Sequence, residues 1–236
     1  GFKKDLLKDL ILFNTINEEK MISLKQYVEN MKEKQEFIYY ASAKNKEQVN
    51  AMPQMDLVKK QGYDVLVLTD DVDEFLINIL REYDGKKFKS INQGDLDLLE
   101  KDEKEKIEKL NEEKKPILDA LKESLKDKVK DVVISKRLTD SAVCLVSSDG
   151  LSFEMEKVLS NMPNNEEVKA EKILEINGNH ELFKSLEIIY LNNPLELNKY
   201  AALLYNQALL IEGFNIENPV EFSQLMCELM IKSVNK

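Results

Sequence analysis

FIYYASAKNKEQVNAMPQMDLVKKQGYDVLVLTDDVDEFLINIL, residues 37–80, decides the fold of this chain. Phe37-Ile-Tyr-Tyr40 is a compact aromatic and β-branched run, and Tyr63-Asp-Val-Leu-Val-Leu-Thr69 is nearly all apolar. Short runs of this kind read as strands, the second as one covered on both faces. The polar stretch between them, Lys44 to Gln61, is rich in helix formers and long enough for a crossover, so the two strands are expected to pair in parallel. A helix over Val72 to Arg81 follows, capped by Thr69 or Asp70, with Asp71, Asp73 and Glu74 at the positive end of its dipole. Phe88 to Ile91 supplies a further strand and closes a small α/β unit near Gly94.

Outward from this unit, Leu6, Leu7, Leu10 and Ile11 recur at helical spacing, and Ser23 to Met31 reads as a short helix. Downstream, Ile107, Leu110, Ile117, Leu118, Leu121 and Leu125 mark a long helix that Pro116 either kinks or reopens. Val132-Val-Ile134 and Ala142 to Val146 pattern as a hairpin around Leu138 to Ser141, before a short helix over 151–162. Lys172 to Ile176 reads as a strand, and Glu181 to Leu191 as a helix that stops before Asn193-Pro194. Two helices remain. One runs from Leu197 to Glu212 and ends at Gly213; the other opens at Asn218-Pro219-Val-Glu221, with Asn218 as cap and Glu221 closing a capping box. The fold class is α+β: a small α/β/α unit within residues 1–100, then a mixed α/β domain over 101–236 that ends in a helical pair.

With 43% hydrophobic and 33% charged residues, the chain can bury a core beneath a heavily charged surface. A net charge of −10, with basic residues interleaved among acidic ones, argues against nucleic acid as a partner. No apolar run approaches the roughly 20 residues that span a bilayer, so no membrane partner is expected and the location is read as cytoplasmic. Cys144 and Cys227 each lie in an apolar stretch and read as buried thiols. The chain opens on Gly1 and not on methionine, as a piece of a longer protein would.

Chemistry-bearing motifs are sparse. His180 is the only histidine and no GxSxG or reactive-cysteine setting accompanies it, so no catalytic residue is assigned. Asp70, Asp71, Asp73 and Glu74 lack the alternating spacing of a calcium loop, and helix capping explains them better than a metal. No phosphate-binding glycine pattern is present. Two apolar features stand out instead. Tyr200 to Ile211 is apolar almost all round and needs more than one covering neighbour, which either a second copy or a buried hairpin within one monomer would supply. Leu151, Met155, Val158, Leu159 and Met162 form one stripe, either core or an adaptable methionine-containing surface.

SLKQYVENMKEKQEFIYYASA (23–43), GYDVLVLTDDVDEFLI (62–77) and REYDGKKFKSI (81–91) resemble the later middle domain of the ninety-kilodalton heat-shock chaperone family in its bacterial form, HtpG. KDVVISKRLTDSAVCLVSSDG (130–150), EKILEINGNHELF (171–183) and LLYNQALLIEGFNIENPVEF (203–222) are similar to that family's C-terminal domain, in the same order. The resemblance implies a middle-domain part over 1–100 and a dimerisation domain over 101–236. The terminal helices would form a four-helix bundle in a homodimer, through Leu204, Ala208, Ile211, Phe222, Leu225, Met226 and Leu229. It further implies that Glu74, Phe75 and Asn78, together with Leu151, Met155, Val158 and Leu159, contact unfolded or partly folded client polypeptides. Phe75 stands where some members have tryptophan.

The family's Asn-Pro-x-His-Pro turn appears here as Asn177-Gly178-Asn179-His180-Glu181, which suggests a looser turn, and the acidic tail of eukaryotic members is absent. ATP and magnesium belong, by the resemblance, to a nucleotide-binding domain upstream of Gly1. The function implied is therefore that of a chaperone fragment with no cofactor and no enzymatic activity of its own. The alternatives are a dimerisation scaffold without client affinity, or an α/β enzyme built on residues 36–94.

Overall fold

The computed structural model describes residues 8–70, 72–160 and 168–234. They fall into two compact units: one drawn from Gly1–Leu98 and Ser147–Ala170, the other from Leu99–Val146 and Glu171–Lys236.

In the first unit, β1 (Leu12–Thr15) and β2 (Ile22–Ser23) form an antiparallel pair, followed by α1 (Leu24–Glu29). Then come β3 (Ile38–Ser42), α2 (Lys46–Ala51), α3 (Met55–Gln61), β4 (Leu66–Leu68), α4 (Asp73–Leu80), β5 (Glu82–Tyr83) and β6 (Lys86–Ser90). The sheet order is β2-β1-β4-β3-β6-β5, with β3 parallel to both β4 and β6. This is the crossover pairing expected of residues 37–69. Because successive side chains on a strand face opposite ways, Ile38, Tyr40, Leu66 and Leu68 enter one core with Leu24, Tyr27 and Ile77. Tyr39, Ala41, Val65 and Val67 enter a second core with Val49, Met55, Val58 and Ile91. The crossover is two helices because Pro53 holds Met52 in extended backbone (ψ 134°).

Two expectations change here. The helical spacing around Leu10 and Ile11 leads into a strand, β1, which pairs antiparallel with β4 and buries Phe13 and Thr15; Leu6 and Leu7 lie outside the described residues. Strand β6 has a hairpin partner, β5, joined through Asp84 and Gly85 at φ 49° and 74°. Two consecutive positive φ values make the type I′ turn that an Asp-Gly pair favours. The Ser23 cap of α1 forms a full capping box with Gln26. α7 (Phe153–Ser160) completes the unit, entered from Ser147, which bridges Gln93.

The second unit contains α5 (Lys101–Glu113), α6 (Lys115–Leu125), β7 (Asp131–Ile134), β8 (Val143–Ser147), β9 (Lys172–Ile176), α8 (Glu181–Asn192), α9 (Pro194–Ile211) and α10 (Pro219–Val234). Pro116 in the first turn of α6 divides the long charged stretch into two helices; α5 buries nothing and α6 buries Ile117, Leu118, Leu121 and Leu125. The expected hairpin of β7 with β8 does not form. The order is β7-β9-β8, and β9 runs parallel to β7 with Val132 opposite Leu174. The 135–142 connection is held to β9 instead. Arg137 donates from Nε to Glu175 Oε2 at 3.0 Å and from Nη2 to Oε1 at 3.1 Å, and the Asn177 amide donates to the Thr139 and Ser141 carbonyls.

The turn at Asn177 is pinned, contrary to the looseness suggested by its missing prolines. Asn177 is buried and its Oδ1 accepts from Asn179 N–H, while a β-carbon at Gly178 would lie 3.0 Å from Leu110 and 3.1 Å from Ile134. His180 then caps α8, its Nδ1 accepting from Leu182 N–H. α9 packs against α6, α8 and α10, so its all-round apolar surface finds three partners within its own chain.

Candidate functional site

Each unit carries a helix with an apolar face that its own core leaves open. On α4 the inward side is Glu74, Ile77 and Leu80. Val72, Phe75 and Ile79, spaced i, i+3, i+7, share the other side: Val72 is 68% and Ile79 60% exposed, and Phe75 is half-buried. Asn78 is exposed as well. Of the three residues expected to contact a client here, Phe75 and Asn78 reach the surface and Glu74 does not, being 3% exposed. Val72 and Ile79 were not singled out, although their helical spacing with Phe75 would have found them. The helix start also differs from expectation. Neither Thr69 nor Asp70 caps it; their N–H groups both donate to Asp73 Oδ2 at 3.1 Å. Asp71 lies outside the described residues, and among the described residues no acidic or histidine cluster is arranged to hold a metal ion.

α7 opens with Ser152, whose Oγ accepts from Met155 N–H at 3.1 Å and whose carbonyl accepts from Glu156 N–H. Phe153 and Glu156 face inward, and the Glu156 carboxylate accepts from Ala170 N–H at 2.9 Å. Leu151, Met155, Val158 and Leu159 lie on roughly the opposite side of the helix and are all half-buried; Met162 lies outside the described residues.

Burial pushes the Glu74 carboxyl above the usual carboxylate range; the Ser152 hydroxyl and the Lys157 ammonium pull it down, and Glu154 raises it. The folded carboxyl therefore holds its proton more tightly than the unfolded one. It withdraws stability as pH rises from the ordinary carboxylate value, about 4.3, through the raised one. Glutamine at this position has no such dependence. The melting temperature of Glu74→Gln relative to the wild type is expected to climb as pH rises above the ordinary carboxylate value; a difference that stays flat with pH would contradict the burial of a charge here.

The second face belongs to the terminal helices. Leu225 is buried against α9, with Phe222 and Leu229 half-buried beside it at i−3 and i+4. Lys199–Glu228 at 2.6 Å and the Lys232–Glu196 pair flank that seam. On the remaining arc of α10, Val220, Met226, Met230, Ile231 and Val234 are exposed, and Leu210 and Ile211 of α9 are exposed too. The residues expected at a dimer interface therefore divide. Leu204, Ala208 and Leu225 are packed inside the chain, Phe222 and Leu229 line its edge, and Ile211 and Met226 face outward. The reading of both thiols as buried is corrected: Cys144 is buried, but Cys227 is exposed on α10, where its neighbours are apolar for a different reason. The α10 cap is as expected, with Glu221 N–H donating to Asn218 Oδ1 at 3.1 Å; the Glu221 carboxylate in turn accepts from the Asn218 side-chain Nδ2 at 3.0 Å, a bond between side chains where a capping box uses the cap's backbone N–H.

The chain is similar to proteins named chaperone protein HtpG. It is 50% identical over 230 residues to that of Clostridium perfringens, covering 98% of this chain and 36% of the relative. It is likewise 50% identical over 231 residues to that of Shouchella clausii, and 45% identical over 230 residues to that of Bacillus licheniformis, in each case covering 37% of the relative. The chain thus spans a little over a third of the length of the curated relatives it matches. The family model for Hsp90 protein matches residues 2–236, and the chain belongs to that family of chaperones.

Proposed function

We propose that this chain is the client-binding and dimerising part of a bacterial Hsp90-type chaperone, working by reversible binding and not by bond chemistry. The observation that carries the reading is the open apolar arc of α10, which runs the length of the helix and faces away from its own core. A two-fold axis beside α10 would stack this arc and the end of α9 on their copies as a four-helix bundle. The Val72–Phe75–Ile79 face of α4, with the half-buried stripe of α7, would then hold apolar segments of partly folded polypeptides. ATP and magnesium chemistry would belong to the rest of the full-length chaperone, in a cytoplasmic setting. Among the described residues, no helix is long and apolar enough to cross a membrane.

The test is binding of a permanently unfolded protein, reduced and carboxymethylated α-lactalbumin, followed by fluorescence anisotropy. Replacing Val72 and Ile79 together by serine removes two exposed apolar side chains worth about 1 kcal/mol each, so binding is expected to weaken about 10- to 30-fold. The melting temperature should move little, because neither side chain is in the core. One observation favours a plain dimerisation scaffold: Leu151, Met155, Val158 and Leu159 are half-buried and not open. A dimeric wild type that leaves the unfolded protein unbound would establish that second reading instead.

A further inference from the structure

β7 stands at the end of the sheet order β7-β9-β8, so one side of it has no strand beside it. An edge of this kind offers its N–H and C=O groups to any other strand that meets it. The run Val132-Val133-Ile134 is apolar and β-branched throughout, a composition prone to such pairing. Along a strand, successive N–H groups point to alternate sides within the plane of the sheet. Ser135 N–H donates inward, to the Ile176 carbonyl of β9 at 2.8 Å. The N–H groups of Ile134 and Val132 therefore point outward.

Side chains meet both of them. Val132 N–H donates to the carboxylate of its own neighbour Asp131 at 3.0 Å. Ile134 N–H donates to Oδ1 of Asn111, on α5, at 2.8 Å, and Nδ2 of the same amide donates to the Ile134 carbonyl at 3.4 Å. One side-chain amide thus meets the N–H and the C=O of a single residue, as the backbone of an adjacent strand does in a ladder. Nδ2 also donates to the Ile107 carbonyl at 3.0 Å, one turn back on α5, which fixes the amide in this orientation. Ile134 is 3% exposed, so its backbone groups have little water to turn to if the amide is lost.

The rest of α5 is lightly held, for no residue of it is buried. Ile107 and Leu110 are half-buried, Glu108 pairs with Lys136 at 3.5 Å, and Lys114, which ends the helix, pairs with Glu187 at 3.1 Å. Ion pairs near the surface contribute about 1 kcal/mol or less each. Asparagine is also a poorer helix former than alanine, so the helix itself gives no reason for Asn111.

We propose that Asn111 caps the outer edge of β7: through it α5 takes the place of a fourth strand and keeps Val132–Ile134 from pairing with the same edge of a second copy of this chain. Without the amide, α5 lies beside β7 but does not bond to it, and the backbone groups of Ile134 are left for another strand. The surface is its own complement, so two copies join through it about a two-fold axis.

The experiment follows the full chain by light scattering over a range of concentrations and by amide hydrogen exchange in dilute solution. Asn111→Ala is expected to speed exchange of the Ile134 amide by about 10-fold when the chains are far apart. At high concentration it should raise the mass to about twice that of the wild type or more. Asn111→Leu keeps the side-chain volume and should behave alike, which excludes a cavity as the cause. Val132→Pro removes the outward N–H of the edge at a position where proline is tolerated, so adding it to Asn111→Ala should restore the wild-type mass. Circular dichroism checks that each variant is folded. An Asn111→Ala chain with the wild-type mass and wild-type exchange at Ile134 overturns the inference. A raised mass that survives Val132→Pro overturns it too, because the association then runs through another surface.

Discussion

Met230→Glu combined with Ile231→Glu is expected to convert a dimer of twice 27.3 kDa into a monomer at micromolar concentration, with the fold intact. The two side chains are 61% and 62% exposed in the single chain, on the arc of α10 that faces away from Leu225. Charging them costs the protomer almost nothing. In a two-fold bundle they would meet their own copies, placing four carboxylates in an apolar seam, where each uncompensated charge costs several kcal/mol. The dissociation constant should rise about 1,000-fold or more. Light scattering gives the mass and circular dichroism reports the fold. A variant that keeps the wild-type mass, or a wild type that is already monomeric, rules this arc out as the interface. Leu204→Glu makes an instructive contrast. Leu204 is 5% exposed within its own chain, so the same charge there enters the core and unfolds the unit. Cys227 provides an independent check, because its exposed thiol lies on this helix and should be alkylated more slowly in the dimer than in the charged variant.

Arg137→Met and Glu175→Leu should each cost about 3–5 kcal/mol of stability, and together only about 1–2 kcal/mol. The guanidinium and carboxylate side chains are 2% and 9% exposed and joined by two hydrogen bonds, and Ser135 Oγ donates to the same carboxylate at 2.5 Å. Removing either ion strands the other in a place water does not reach. Removing both leaves an apolar pair, with Ser135 losing an acceptor; its oxygen still accepts from the N–H groups of Arg137 and Leu138. Urea unfolding of the four proteins gives the coupling energy, expected at about 4 kcal/mol or more in favour of the pair. Additive single costs would show that the ions are solvated independently and that this cluster does not hold the 135–142 connection to β9.

What could be read from residue order follows from the range of the interactions. β3 and β4 were legible because each is buried on both faces and so is apolar at every step; the start of α10 was legible because Asn218, Pro219 and Glu221 settle it among themselves. β1, β2 and β5 span two to four residues, too few for a period to register, and their apolar content blends into neighbouring helical spacing. The pairing of β7 with β9 in place of β8 is fixed by Arg137, Glu175 and Asn177, contacts across nearly 40 residues that no local pattern encodes. At the candidate sites, helical spacing made the surface positions of Phe75 and Asn78 and the shared face of Leu151, Met155, Val158 and Leu159 legible. The inward turn of Glu74 was not, since an acidic residue in an acidic first turn looks exposed from its spacing alone.

The alternation of the two units along the chain constrains how such a protein can be made. A ribosome delivers Gly1–Leu98 first, but that unit is unfinished until Ser147–Ala170 has emerged, by which time Leu99–Val146 of the other unit is already outside the tunnel and waiting for β9 and the helices that follow. Each unit must thus tolerate a half-built state while part of the other is synthesised. For the same reason no single cut separates the units whole: severing at Leu98 leaves Glu74 behind and carries away Ser152.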